Sequence, residues 1–390
     1  MKEQQNKQHL DKIRGCLIGG AAGDALGYAV EFDSEGSIFA KYGSGGIRAY
    51  ALDPSSGKAL ISDDTQMTLF TANGLLFAET RVAMRGIGGQ PSMYMLHAYK
   101  DWLRTQDMTF AQAQKDKKQN RGISWLSDVL ELYHRRAPGN TCLSALSGRR
   151  DENGCDFIDY PPNHSKGCGG VMRVAPMGLK RYLYADIKTI DREGAELAAI
   201  THGHSLGYMP AAVLTHIVHQ IVYSNRGMTL KEIVEEARDT VAEIFVGDRH
   251  LNELTSLIDT AIALSENDKI DLDNIHTLGE GWVGEEALVI AIYCALRYQN
   301  DFSAGIIAAV NHNGDSDSTG AITGNILGAW LGFDAIDDQW KRDLELYDVI
   351  LEMANDLCSG CQMSEYSSYR DPDWVRKYCR AQWKVQNSKE

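Results

Sequence analysis

The chain has 390 residues, of which 44% are hydrophobic and 24% charged, a composition typical of globular proteins. Its net charge of −14 argues against binding nucleic acid by charge, because an acidic surface repels phosphate groups. Eight scattered cysteines exclude a disulfide scaffold, and the polar N-terminus and short apolar runs predict a soluble, cytoplasmic protein that makes no use of a membrane.

Helical periodicity dominates the chain, whereas alternating strand patterns are nearly absent, which predicts an all-α fold. Because no linker or internal repeat divides the sequence, we expect a single compact domain over residues 1–390. In chain order the predicted helices span 10–29, 64–80, 92–104, 191–203, 207–224, 229–244, 251–265, 284–298, 302–311 and 318–332. The segments predicted as loops are rich in Gly, Pro, Ser and Asp and span 33–62, 135–170 and 267–283.

The first and last of these helices carry glycine at every fourth position. The positions are Gly15, Gly19, Gly23 and Gly27 in the first, and Gly320, Gly324, Gly328 and Gly332 in the last. Each interior glycine destabilises a helix by roughly 0.5–1 kcal/mol relative to alanine. Close approach of another helix would offset that cost, so we predict that both helices lie at the centre of the core. The pattern leaves open whether they contact each other.

Two acidic clusters stand where a predicted helix begins. One is Ser62-Asp63-Asp64-Thr65, and the other is Asp315-Ser316-Asp317-Ser318-Thr319. Helix capping explains one carboxylate in each cluster. A pair of carboxylates with hydroxyl groups, repeated in both clusters, is better explained by a hard divalent cation such as Mg²⁺, Mn²⁺ or Ca²⁺. If the fold brings the clusters together, they predict a metal-dependent hydrolase.

The second cluster also has two competing motif interpretations. An EF-hand loop starting at Asp315 would need Glu at its twelfth position, where the chain has Ile326, so that interpretation fails. The cluster also resembles a phosphatase loop whose first Asp becomes phosphorylated. That loop follows an apolar strand, but the preceding residues 311–314 are Asn, His, Asn and Gly. A metal-dependent phosphatase or phosphodiesterase therefore remains the alternative enzyme.

Residues 165–173, with the sequence SKGCGGVMR, form a glycine-rich segment. Glycine lets the backbone approach a ligand closely and direct N–H groups at it, so the segment can hold a phosphate group, although a segment of this kind taken alone is more often an ordinary turn. Farther along, His202 and His204 lie two residues apart, and we expect one of them to contact substrate and the other to be structural, although a single histidine is more often a structural residue.

As an ordered set, these segments resemble the ADP-ribosylglycohydrolase family. The matching segments are Arg14–Gly27, Ser62–Thr65, Gly169–Arg173, Thr201–His202 and Gly314–Gly324. The resemblance implies an all-α fold with a binuclear metal site and two Mg²⁺ (or Mn²⁺) ions as cofactors. It also implies hydrolysis of the bond between ribose C1″ of ADP-ribose and an acceptor, with arginine favoured over serine. An ADP-ribosylated protein or ADP-ribose is then the partner.

The resemblance also implies roles for individual residues. The metal ligands would be Ser62, Asp63, Asp64, Asp315, Asp317 and Ser318, with Asp317 bridging both ions. Asp63 or Asp64 would be the catalytic base, and Glu31 would reach the second ion. The residues that hold ADP-ribose would be Lys166, Gly167, Cys168, Gly169, Gly170, Val171, Met172, His202 and Trp282. A catalytically dead ADP-ribose-binding protein is the non-enzyme alternative, against which the intact acidic clusters argue. Residues after about 333 lie outside the resemblance.

Overall fold

The computed structural model describes residues 2–86, 88–116, 122–149, 156–181, 185–224 and 227–379. Apart from two isolated β-bridges, the regular secondary structure of these residues is helical, which confirms the predicted all-α class. The α-helices are α1 Lys2–Tyr28, α2 Glu35–Tyr42, α3 Asp63–Arg85, α4 Pro91–Asp107, α5 Phe110–Asp116, α6 Asn140–Gly148, α7 Ala175–Leu179, α8 Ile187–Ala199, α9 Ser205–His219, α10 Leu230–Ile244, α11 Leu251–Ser265, α12 Asp271–Leu278, α13 Gly284–Arg297, α14 Phe302–Val310, α15 Ser316–Leu331, α16 Tyr347–Ser359 and α17 Pro372–Tyr378. Short 3₁₀ and π turns connect several of them.

Helices α1 and α15 pack antiparallel with their backbones in direct contact. A Cβ atom on any of four glycines of α1 would lie 1.9 to 2.3 Å from a carbonyl oxygen of α15: Gly15 from Gly328, Gly19 from Gly324, Gly23 from Gly320 and Gly27 from Ser316. No larger side chain fits at such a distance, so the prediction of close helix approach is confirmed and the two helices are each other's partners. Gly332 is an exception, because it ends α15 with a φ of +88° instead of extending the stripe.

The core surrounds this helix pair. Helix α13 contacts both α15 and α9, and its apolar run from Ala287 to Leu296 is buried. Helix α14 packs against α15 from another side. None of the helices in the described part of the chain is both long and apolar enough to cross a membrane.

The predicted loops were wrong in three places. Helix α2 lies within 33–62, α6 within 135–170 and α12 within 267–283. Each has only eight or nine residues, which is too short for a helical period to stand out from the sequence. The region after residue 333, for which no helix was predicted, contributes α16 and α17.

Candidate functional site

The two acidic clusters form the N-terminal ends of two buried helices. Ser62 caps α3, and its Oγ accepts a hydrogen bond from the backbone N–H of Asp64 at 3.1 Å. Asp315 caps α15, and its carboxylate accepts from the backbone N–H of Ser318 at 3.3 Å. Capping is therefore confirmed for one residue of each cluster. Both helix N-termini also favour negative charge near them.

Electrostatic coupling shows that the fold brings the two clusters together. Burial raises the pKa of Asp63, Asp64 and Asp317 well above the usual range. The negative charge of Asp315 also raises the pKa of all three carboxyls. Among the described residues, no Lys or Arg forms an ion pair with these carboxylates. The pocket therefore groups several acidic side chains for which the protein itself supplies no counter-charge.

Glu31 joins this pocket from the turn that follows α1. Burial raises its pKa to about 9, and the negative charges of Asp315 and Asp63 add to this effect. Its Oε2 atom and the Oδ2 atom of Asp64 are buried without a hydrogen-bond partner. Unsatisfied buried carboxylate oxygens are costly, so these two atoms indicate that the pocket is completed by a ligand.

Asp24 also belongs to this pocket, and the sequence analysis did not assign it a role. Its carboxylate accepts hydrogen bonds from the backbone N–H of Ser62 and of Thr65, each at 3.0 Å, and from the Thr65 hydroxyl. Burial raises the pKa of Asp24 to about 6. Asp24 thereby fixes the start of α3 to α1. A single acidic residue inside a stripe of small residues was the available sequence signal.

The donor set suits Mg²⁺ or Mn²⁺, because it combines buried carboxylate and hydroxyl oxygens without a counter-charge. Within the described residues, however, no three His, Cys, Asp or Glu side chains are arranged as a ready-made set of ligands for a single ion. Binding would thus require the side chains to adjust, and the metal ligands predicted from the sequence stay a prediction.

The glycine-rich loop lies directly against the acidic pocket. The thiol of Cys168 donates to Oδ2 of Asp315 at 2.7 Å, and the backbone N–H of Cys168 donates to the carbonyl of Trp282 at 3.2 Å. Lys166 forms an ion pair with the buried carboxylate of Glu285. These contacts bring the predicted substrate-binding residues Lys166, Cys168 and Trp282 to one edge of the pocket. The Trp282 side chain there is 42% exposed.

His202 is buried beneath the same loop. A Cβ at Gly169 would lie 2.9 Å from its Cε1 atom, and a Cβ at Gly167 would lie 3.2 Å from its Nε2 atom. The two glycines are therefore needed for the ring to fit. Val171 and Met172 are buried in the hydrophobic core, and their predicted substrate-binding role stays a prediction.

Two further residues support the site and were not identified from the sequence. Arg173 is fully buried and donates hydrogen bonds to the carbonyl of Gly169 at 2.7 Å and to the hydroxyl of Thr201 at 2.6 Å. Glu345, from the region after 333, accepts from the backbone N–H of Ile61 at 3.2 Å. The C-terminal region thus stabilises the segment that precedes the first acidic cluster.

The phosphatase alternative loses its structural support. Asp315 follows Gly314, which has a φ of +115°, and begins a helix instead of ending a strand. The described residues contain no parallel sheet, which a phosphorylated-aspartate loop of that kind requires.

Comparisons with known proteins agree with one another. The family model for ADP-ribosylglycohydrolase matches residues 5–367. The chain is 25% identical over 373 residues to human ADP-ribosylhydrolase ARH3, which covers 87% of this chain and 90% of that protein. It is 26% identical over 344 residues to ADP-ribosyl-[dinitrogen reductase] glycohydrolase of Rhodospirillum rubrum, covering 86% of this chain and 91% of that protein. The solved structure of an ADP-ribosylglycohydrolase-related protein complex shares the fold, with a TM-score of 0.58, 21% identity, and coverage of 90% of this chain and 99% of that chain.

Proposed function

This chain belongs to the ADP-ribosylglycohydrolase family, and we propose that it removes ADP-ribose from modified arginine side chains of proteins with two Mg²⁺ or Mn²⁺ ions. Members of the family are hydrolases of glycosyl bonds. The observation that carries the proposal is the pocket in which Glu31, Asp63, Asp64 and Asp317 lie buried together without a cation from the protein.

In this proposal the metal ligands are those predicted from the sequence: Ser62, Asp63, Asp64, Asp315, Asp317 and Ser318. The partnerless oxygens of Asp64 and Glu31 support it, since a cation would compensate both. Divalent ions at such a site polarise bound oxygen atoms and lower the pKa of bound water.

The carboxylates have two tasks in glycosidic cleavage. Breaking the ribosyl bond builds positive charge on the ribose ring, which nearby carboxylates stabilise. Either Asp63 or Asp64 takes a proton from the attacking water, as a general base. Glu31, whose buried Oε2 atom has no hydrogen-bond partner, would reach the second ion.

The charge of the pocket supports arginine as the acceptor. A guanidinium group is cationic and planar, and it pairs with carboxylates in two parallel hydrogen bonds. Serine offers no such charge and is the second candidate. On the other side of the bond, the backbone of residues 166–170 and the partly exposed ring of Trp282 provide polar and aromatic contacts for ADP-ribose.

The test is release of ADP-ribose from an ADP-ribosylarginine protein and from an ADP-ribosylserine peptide, each with Mg²⁺, with Mn²⁺ and with EDTA. We expect metal-dependent release from the arginine substrate. Release only from the serine peptide would reassign the acceptor. Tight ADP-ribose binding without release would identify a binding protein, and release of phosphate would favour the phosphatase alternative.

A further inference from the structure

Arg173 is a buried cation without a carboxylate partner among the described residues. Its side chain is fully buried, and its guanidinium lies 4.5 Å from the ring centroid of Tyr99. It donates to the carbonyls of Gly169 at 2.7 Å and Leu197 at 3.2 Å, and to Oγ1 of Thr201 at 2.6 Å. Burying a charge without a counter-ion is costly, so these hydrogen bonds must offset a large desolvation penalty.

Thr201 connects Arg173 to His202. Because Oγ1 of Thr201 accepts from Arg173, its own proton is free to be donated elsewhere. Nδ1 of His202 lies 2.8 Å from that oxygen. The thiol of Cys142 is also near the hydroxyl but is a weak acceptor. A hydroxyl that donates to Nδ1 leaves the proton of the neutral imidazole ring on Nε2.

The surroundings of His202 keep the ring neutral and leave Nε2 available. Burial lowers the pKa of His202 to about 3, and the positive charge of Arg173 adds to this effect. Nε2 faces the glycine-rich loop, 3.2 Å from where a Cβ of Gly167 would lie. It makes no hydrogen bond with any residue that the structure describes. In the Nε2–H tautomer the ring presents a neutral N–H donor at the loop.

We propose that Arg173 and Thr201 are positioning residues that hold His202 in its Nε2–H tautomer, so that His202 donates a hydrogen bond to an oxygen atom of ADP-ribose on the glycine-rich loop. The identity of the ligand rests on the proposed function, whereas the tautomer is a property of the free protein. In the opposite tautomer, Nε2 would present a lone pair to the ligand oxygen and repel it. Loss of one such hydrogen bond weakens binding about tenfold.

The first experiment determines the tautomer by NMR of the free protein labelled with ¹⁵N-histidine, with His202 assigned through His202→Gln. We expect Nε2 to carry the proton in the wild type and in Thr201→Ser, and Thr201→Val to give a mixture of tautomers. Thr215→Val is the matched control, because the buried Thr215 hydroxyl of α9 has no hydrogen-bond partner. A proton on Nδ1 in the wild type, or an unchanged tautomer in Thr201→Val, would overturn the proposal.

The second experiment measures ADP-ribose affinity by calorimetry. We expect Thr201→Val to weaken binding roughly tenfold, Thr201→Ser to restore it and Thr215→Val to leave it unchanged. Wild-type affinity in Thr201→Val would refute the role of the tautomer in binding. If the wild type binds no ADP-ribose, the proposed function fails and with it the assigned ligand, while the NMR result still decides whether Arg173 and Thr201 set the tautomer.

Discussion

Two buried sites of opposite charge flank the glycine-rich loop. On the Cys168 side lie the carboxylates of the acidic pocket, in which oxygens of Asp64 and Glu31 have no partner. On the Gly169 side lies the guanidinium of Arg173, which donates to two carbonyls and a hydroxyl. Both sites are buried, and Nε of Arg173 also has no hydrogen-bond partner. They differ because the acidic pocket groups several carboxylates, whereas the other site holds a single cation with three hydrogen-bond acceptors. The grouped carboxylates therefore distinguish the acidic pocket as a ligand site, and an unpaired polar atom or a buried charge alone does not.

The opposite charges do not neutralise each other, because Arg173 forms no ion pair with any carboxylate of the described residues. If Arg173 formed a salt bridge with these carboxylates, its guanidinium would take the place of an external cation in the acidic pocket. Binding Arg173 through neutral acceptors leaves the carboxylates available to an external cation. The acidic site should therefore respond to metal, and the Arg173 site should not.

Removal of the central carboxylate tests the acidic site most directly. We expect Asp317→Asn to lower ADP-ribose release roughly a thousandfold and to abolish its metal dependence, because Asp317 is assigned to both ions. Asp268→Asn, at an exposed position, is the control and should retain full activity. Metal-dependent turnover by Asp317→Asn would refute the shared metal site.

The helix pair that holds the acidic pocket together is tested with Gly19→Leu. The new Cβ would lie 2.3 Å from the carbonyl of Gly324, so we expect a loss of about 3 kcal/mol or more in the free energy of unfolding. Gly36→Ala is the matched control, since its Cβ would lie 3.9 Å from its nearest neighbouring atom, Oγ of Ser34, and we expect this substitution to be neutral or stabilising. Urea denaturation of both variants gives the result, and wild-type stability of Gly19→Leu would contradict the packing.

Opposite effects on stability distinguish the two charged sites. In EDTA, Arg173→Met should lower the free energy of unfolding by about 2–3 kcal/mol, because the carbonyl of Gly169 and the hydroxyl of Thr201 lose the donor of their hydrogen bonds. Asp64→Asn should instead stabilise the metal-free protein by about 1 kcal/mol, because it removes one of several like charges. Urea denaturation in EDTA measures both, and a shift in the same direction for the two variants would invalidate the comparison.

The acidic pocket should also make metal-free stability depend on pH. The pKa of Glu31 is raised from 4.5 to about 9, so the unfolded chain releases this proton at a lower pH than the folded protein does. The stabilising contribution of protonated Glu31 is then fully present below about pH 4.5 and is lost as pH rises toward 9. Asp24, whose pKa is raised to about 6, adds a smaller loss of stability that is complete by about pH 6. We expect the melting temperature in EDTA to drop by a few degrees between about pH 5 and pH 8, and Mg²⁺ or Mn²⁺ to reduce the drop. An equal melting temperature at both pH values in EDTA would contradict this.

The sequence predicts most of the long helices well, because a helical pattern continues over several turns in each. Helix α11 spans 251–265, in agreement with the prediction residue for residue. Helices α2 and α12 contain about two turns each, so their periodicity could not be separated from that of a loop.

The acidic clusters and the glycine-rich loop could be found because each is a local pattern. Asp24 and Glu345 could not, since their roles depend on contacts with residues 38 and 284 positions away, Ser62 and Ile61 respectively. Arg173 was part of a recognised motif, but no local pattern indicates that its charge is buried without a counter-ion.

The pairing of α1 with α15 also affects how the protein is made. The side chain of Asn325 donates to the carbonyl of Cys16 across 309 residues of sequence. At about 5–20 residues per second, translation leaves α1 without its partner for roughly fifteen seconds to a minute. During that time its glycine face and Asp24 are open to nascent-chain chaperones. The acidic pocket, and with it any activity, can form only when α15 has left the ribosome.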